Sequence, residues 1–161
     1  MDDLERCQRW INDPEVHKTL EFRTPMSLKQ ERDWLEKACC NSFKELTLAI
    51  CIADDHRHIG VVSLLDSQPT HRKATFGILV GETELHDRGF GTEATRLICQ
   101  YGFEEMNLHK INLTVRADNL RGIHVYEKVG FVKEGLLKDE IYRQGMYQDM
   151  LTMGLFRDNL A

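Results

Sequence analysis

No apolar stretch in these 161 residues approaches 18 in a row, and no basic-then-apolar leader opens them. The sequence therefore offers neither a membrane span nor a signal peptide, and a cytoplasmic location is expected. Runs of Lys or Arg are also missing, and 26 acidic against 21 basic residues leave a net charge of −5. That balance argues against a general nucleic-acid binder and suits a cationic substrate. The five cysteines, Cys7, Cys39, Cys40, Cys51 and Cys99, form an odd set without a C-x-x-C pair, which predicts reduced, mostly buried thiols used for packing. His56 and His58 beside Asp54 and Asp55 lie between two apolar runs and read as a hairpin loop, so no metal is expected. Repeats and low-complexity tracts are absent, and the length fits one domain over 1–161.

With only three prolines, the elements can be read in order. Leu4, Cys7, Trp10 and Ile11 mark a helix that Asn12-Asp13-Pro14 ends. Ser27 with Gln30 three residues on has the form of a capping box, opening a helix through Leu28, Trp34, Leu35 and Ala38. Leu46 to Ala53 and Ile59 to Leu65 form an antiparallel hairpin, and Lys73 to Val80 a third strand. A helix beginning near Phe90 carries Ala94, Leu97, Ile98 and Tyr101 on one face. Ile111, Leu113 and Val115 then alternate with polar residues as a half-buried strand. Leu120 to Val129 is a short helix closed by Gly130, followed by a strand from Phe131-Val132 and a last strand near Met146 to Phe156. The fold class is α/β with a mixed, mostly antiparallel sheet flanked by helices.

The segment His86-Asp87-Arg88-Gly89-Phe90-Gly91-Thr92 stands at a strand-to-helix junction. The first-turn amides of a helix lack intrahelical partners and sit at the positive end of its dipole, so they suit phosphate oxygens, and glycine admits close approach. A tight turn that needs positive φ explains the same glycines equally well. A P-loop is excluded because no Gly-Lys-Ser/Thr follows. A Rossmann site wants an acidic residue about 20 positions on, but the next strand ends in Arg116.

Farther on, Asn119 and Tyr126-Glu127-Lys128-Val129-Gly130-Phe131 supply a second motif. The two together, in this element order, resemble the GCN5-related N-acetyltransferases over essentially the whole chain, with His86 where Gln or Arg is usual. Asn107-Leu108-His109-Lys110-Ile111, Gly122-Ile123-His124-Val125-Tyr126 and Glu134-Gly135-Leu136 are most similar to the branch of spermidine, amino-sugar and ribosomal-protein alanine N-acetyltransferases. The family fold begins with a strand ahead of the first helix, which this sequence enters almost at once.

The resemblance implies acetyl-CoA as co-substrate and direct attack of a primary amine on the thioester. The amine would belong to a polyamine, an amino sugar or a protein N-terminus. Backbone amides of Arg88, Gly89, Phe90, Gly91 and Thr92 would hold the pyrophosphate, and the exposed backbone of Leu79 and Val80 would pair with pantetheine. The family's strand is splayed from its neighbour by a bulge after it, and a Leu79 or Val80 N–H would stabilise the oxyanion. Asn119 would contact the cofactor or cap the following helix. Tyr126 stands at the family's general-acid tyrosine. An alkylammonium of pKa near 10 is only about 0.1% neutral at pH 7, a handicap of roughly 4 kcal/mol, so the base matters. Many relatives carry a glutamate where this sequence has Thr75, which leaves Glu82, with Glu84 beside it, as the candidate. Thr75 also keeps a second reading open, a non-catalytic acyl-CoA-binding or regulatory module. Acceptor choice is expected in the loop Leu20 to Met26, and the C-terminal strand often mediates dimers in the family, so a homodimer is expected.

Overall fold

The computed structural model describes residues 2–17 and 25–161. The elements are α1 (Asp2–Asn12), α2 (Pro14–His17), α3 (Leu28–Ala38), β1 (Leu46–Cys51), β2 (His58–Gln68) and β3 (Lys73–Val80). They continue with α4 (Phe90–Glu104), β4 (Lys110–Arg116), α5 (Leu120–Val129), β5 (Val132–Arg143) and β6 (Met146–Phe156). One six-stranded sheet runs in the order β1-β2-β3-β4-β6-β5. Every neighbouring pair is antiparallel except β3 and β4. The mixed sheet and the order of helices and strands agree with the sequence reading. Among the described residues no strand precedes α1, and β1 is one edge of the sheet.

Local chemistry accounts for the helix boundaries. Pro14 ends α1 as expected, but it also starts α2, where its missing N–H costs nothing. Asp13 Oδ1 accepts the Glu15 N–H at 2.8 Å across that joint. The capping box is present at α3: the Gln30 N–H donates to Ser27 Oγ, and the Ser27 N–H to Gln30 Oε1 at 3.0 Å. Gly130 ends α5 with φ 108°, as its position after Val129 predicts.

The core fills the side of the sheet covered by α4 and α5. Val62, Leu64, Ala74, Phe76, Ile111, Leu113 and Leu155 from the strands meet Ile98, Cys99, Phe103, Ile123 and Val129 from the helices. Here the structure corrects the predicted helix face. Ala94 and Ile98 are buried, but Leu97 and Tyr101 are exposed, and the stripe turns instead toward Cys99, Gly102 and Phe103. Gly102 sets that rotation, since a Cβ there would stand 2.8 Å from a Leu64 methyl. The cysteine expectation also needs correction. Cys7 and Cys99 are buried, whereas Cys39 and Cys40 at the end of α3 and Cys51 on the edge strand are exposed. Burial pushes the Cys99 thiol up to about 12 and that of Cys7 to about 11, so both stay protonated and inert at neutral pH.

One irregularity positions the site. The parallel strands β3 and β4 pair only at Lys73↔Lys110, Ala74↔Ile111 and Thr75↔Asn112. Beyond Thr75 they diverge, while β3 keeps an unbroken register with β2 from Leu65↔Thr75 to Gly60↔Val80. The recorded break in that ladder lies at the other end, between Leu65 and Gln68. The cleft thus opens by divergence of the strands, with β2–β3 pairing regular up to Val80.

Candidate functional site

Two clefts of about 430 Å³ each meet where β3 and β4 part. The first lies between the end of β3, the start of α4 and α5, with Leu79, Val80, Gly89, Gly91, Thr92, Asn119 and Tyr126 in its lining. The second lies on the opposite face of the sheet under α1 and α3, with Trp10, Trp34, Glu31, Gly77, Thr114 and Tyr126 among its lining residues. Ile78, Leu79, Asn119 and Tyr126 line both. A ligand threaded from one cleft to the other passes these four residues.

The glycine segment has the geometry of an anion cradle. Asp87 (φ 60°) and Gly89 (φ 92°) turn the chain so that α4 begins at Phe90. The first helical bond recorded runs from the Glu93 N–H to the Gly89 carbonyl, so the amides of Phe90, Gly91 and Thr92 precede any intrahelical acceptor. A Cβ built on Gly89 meets nothing within 4 Å, and one on Gly91 meets only a Val80 methyl at 3.9 Å. The space beside these amides is open, which fits a pyrophosphate. Arg88 and Phe90 contribute backbone at most: neither is among the cleft's lining residues, and the Arg88 guanidinium stands 6.0 Å over the Phe90 ring.

His86 replaces the usual Gln or Arg and spans the gap between β3 and α5. Arg121 donates to its Nδ1 at 2.9 Å, so the ring proton resides on Nε2 and is donated to the Val80 carbonyl at 2.9 Å. This bond reveals which way β3 faces. The Gly81 N–H bonds the Ile59 carbonyl of β2, so strand alternation directs the backbone groups of Leu79 to β2 and those of Ile78 and Val80 into the cleft. Of the two residues expected to present backbone, Val80 does so; Leu79 contributes its side chain, because its N–H and C=O face Val61.

Asn119 caps α5, its Oδ1 accepting the Gly122 N–H at 3.0 Å. Its Nδ2 has no acceptor among the described residues, and Asn119 lines both clefts. Tyr126 projects from α5 to the junction, its ring edge-on to Phe76 at 5.8 Å and Phe131 at 6.0 Å. Its hydroxyl has no hydrogen-bond partner among the described residues. Desolvation pushes the phenol up to about 12, so it is a fully protonated donor at neutral pH.

Glu82, the sequence's candidate base, occupies a different place. Its Oε1 accepts from Arg9 at 2.9 Å and from the Trp10 indole at 3.0 Å, and its Oε2 accepts from Arg57 at 2.8 Å. It lines neither cleft. Two guanidinium groups and an indole use the lone pairs a base would need, and they tie α1 and the β1–β2 loop to the end of β3. Glu84 shares Arg57 in the same cluster, and a backbone hydrogen bond together with that guanidinium holds its carboxyl below the usual range. Trp10, 2% exposed, packs against Gly81, where a Cβ would stand 2.0 Å from the ring. Asp3 adds a further tie at 2.9 Å to His58, and that bond keeps the Asp3 carboxyl below its ordinary value.

The sequence reading passed over Glu31. On α3 the expected apolar residues Leu28 and Trp34 are exposed, and the buried side chain is Glu31 at 4%. Its spacing to Leu35 and Ala38, i+4 and i+7, was the available signal: a charge on the inward stripe. The loop expected to choose the acceptor, Leu20 to Met26, lies outside the described residues except for Pro25 and Met26, and Met26 lines the second cleft.

Comparison with known proteins agrees with this geometry. The family model for the acetyltransferase (GNAT) domain matches residues 1–132. The spermidine N(1)-acetyltransferase of Escherichia coli K12 is 36% identical over 103 residues, which cover 64% of this chain and 55% of that protein. Its counterpart from Vibrio cholerae is 39% identical over 95 residues, 59% of this chain and 54% of that protein. The chain thus spans about half the length of these curated relatives. The crystal structure of spermidine N-acetyltransferase from Vibrio cholerae in complex with CoA and spermine matches with a TM-score of 0.88 at 28% identity, covering 98% of this chain and 92% of that one.

The placement of Glu82 has a measurable consequence. Glu82→Gln is expected to lower stability by about 1.5–3 kcal/mol, read as a fall in Tm or in the urea midpoint, because charge-assisted bonds to Arg9 and Arg57 are lost. Catalysis at temperatures where the variant is folded should change only a few-fold. A drop in kcat of about 100-fold with an unchanged Tm would instead mark Glu82 as the base.

Proposed function

The chain belongs to the acetyltransferase (GNAT) family, and on that premise we propose that it transfers the acetyl group of acetyl-CoA to a primary amine. Relatives named for spermidine make a polyamine the first acceptor to test, ahead of an amino sugar or a protein N-terminus. The observation that carries this reading is the position of Tyr126 at the junction of two clefts opened by the parting of β3 and β4.

Acetyl-CoA supplies an activated thioester. The amides of Gly89 to Thr92 bind its pyrophosphate, and Ile78 and Val80 offer pantetheine a free strand edge. The Val80 N–H faces the negative charge that develops on the acetyl oxygen. The acceptor nitrogen forms its bond to the acetyl carbon as the carbon–sulfur bond breaks, and Tyr126 delivers its proton to the departing sulfur. With Thr75 in place of a carboxylate, the ammonium sheds its proton to water. The rate then rises with pH toward the amine's own pKa, while Tyr126 stays protonated until pH approaches about 12.

Tyr126→Phe is expected to lower kcat about 100-fold or more with acetyl-CoA affinity nearly unchanged, measured by thiol release with a panel of polyamines, amino sugars and N-terminal peptides. Turnover of an accepted substrate that survives the substitution would remove Tyr126 from the chemistry. Slow hydrolysis that no amine accelerates would favour the second reading, an acyl-CoA-binding module, which Thr75 supports.

We also propose that the chain forms a homodimer through β5. This edge strand is exposed over most of its length and carries Leu136, Leu137 and Tyr142 outward, next to Met146 and Tyr147 of β6. Sedimentation equilibrium should give twice the chain mass, and Leu136→Lys should reduce it to one; a monomeric parent protein would contradict the assignment.

A further inference from the structure

We propose that His86 is a positioning residue for the acyl donor. Held as the neutral Nε2–H tautomer between Arg121 and the Val80 carbonyl, it sets the edge of β3 on which the donor pairs, and a second proton on the ring undoes that edge. The proposal rests on the acetyl-transfer reading above, since the cleft that His86 shapes is the one assigned to acetyl-CoA.

The peptide joining Val80 to Gly81 is held from both sides. Its carbonyl accepts from His86 Nε2 at 2.9 Å, and its N–H, on Gly81, donates to the Ile59 carbonyl at 2.9 Å. With that plane fixed and Val80 in register with Gly60 of β2, the Val80 N–H keeps its aim into the cleft. The ring's other nitrogen accepts from Arg121 in the first turn of α5. Deeper in the molecule β3 and α5 meet through the Phe76 and Tyr126 rings; at the mouth of the cleft His86 makes the tie. Val80, His86 and Arg121 all line the donor cleft, so the tie borders the space the donor fills.

This arrangement tolerates one protonation state of the ring. A guanidinium only donates, so Nδ1 must present a lone pair to Arg121. A second proton would oppose N–H to N–H and set two like charges side by side, breaking the link to α5. Imidazole is the side chain that ordinarily changes charge between about pH 5 and 8, so the tie is lost within an accessible range. The other charged or titratable groups lining the cleft are Asp87 beside His86 in the loop, and His124 and Lys128 farther along α5. β3, α2 and the start of α4 add only uncharged residues such as Val80, Val16 and Thr92. Glu82 and Glu84, which precede His86, are engaged by Arg57 at 2.8 and 2.5 Å, and the Arg88 guanidinium lies over Phe90. Among the described residues no carboxylate bonds the His86 ring or Arg121 to take up an added charge.

The test is calorimetric titration of CoA into the parent protein, His86→Ala and His86→Gln at a pH of about 8 and of about 5.5. At the higher pH, His86→Ala is expected to weaken CoA about tenfold and His86→Gln to restore the parent affinity. The amide supplies one donor and one acceptor, as the neutral ring does. At the lower pH the parent should lose about tenfold in affinity relative to His86→Gln, which does not titrate and cancels the ionisation of CoA itself. A parent-to-Gln ratio that stays constant with pH overturns the proposal. So does a ratio that turns in favour of the parent at the lower pH, which would place a charged ring on the donor's phosphates. Nitrogen-15 spectra of the ring test the tautomer without any ligand: a proton on Nε2 alone is expected at the higher pH, and one on Nδ1 contradicts the assignment. A parent that binds no CoA at either pH removes the acetyl-transfer reading and this role with it, whereas CoA binding that ignores His86 removes only the role of His86.

Discussion

Everything at this site follows from how briefly β3 and β4 pair. Three residue pairs join them, and past Thr75 and Asn112 the two strands part, β3 staying paired with β2 and β4 with β6. Backbone groups in the middle of a sheet are normally consumed by a neighbour, and leaving them unpaired is costly unless something else bonds them. His86 takes the Val80 carbonyl, and the N–H groups on that edge are left for a ligand. The same divergence makes a passage through the sheet, so a donor held by α4 and an acceptor held by α1 and α3 can meet at Tyr126. A fully zipped pair would have produced a better-satisfied sheet with two separate grooves.

The second requirement is that α1 stay over the acceptor side. Its first and last turns are tied down by different means: Asp3 to His58 near the N-terminus, then Trp10 and Arg9 to Glu82. Trp10 serves twice, packing its ring on Gly81 and meeting the His58 ring in a T-shaped contact with centroids 5.1 Å apart. Because Glu82 follows directly after β3, the clamp links the wall of one cleft to the strand that shapes the other. Glu82 thus holds the geometry around the site through its bonds to Arg9, Trp10 and Arg57.

What the sequence made legible is what depends on local backbone. The Gly89–Gly91 junction, the Asn119 cap, the Ser27 capping box and the Gly130 stop are all set by residues within one helical turn, so spacing alone reveals them. Tyr126 was legible because a motif around it fixes its register on α5. The ion pairs of Glu82 were not legible because its partners lie 73 and 25 residues away, and no local pattern announces a long-range guanidinium. The face of α4 was misassigned for a related reason: hydrophobicity ranked Leu97 and Tyr101 as inward, whereas tertiary packing placed Cys99 and Gly102 there, and on α3 it buried Glu31.

The most direct measurement is a crystal structure of the protein with CoA and a diamine. The pantetheine arm should run along Ile78 and Val80 and pass between the diverging strands, bringing the sulfur within hydrogen-bond reach of the Tyr126 hydroxyl. One nitrogen of the diamine should face that sulfur from the opposite side of the sheet. A pantetheine arm that lies along the outside of α4, or a sulfur remote from Tyr126, would contradict the joining of the two clefts.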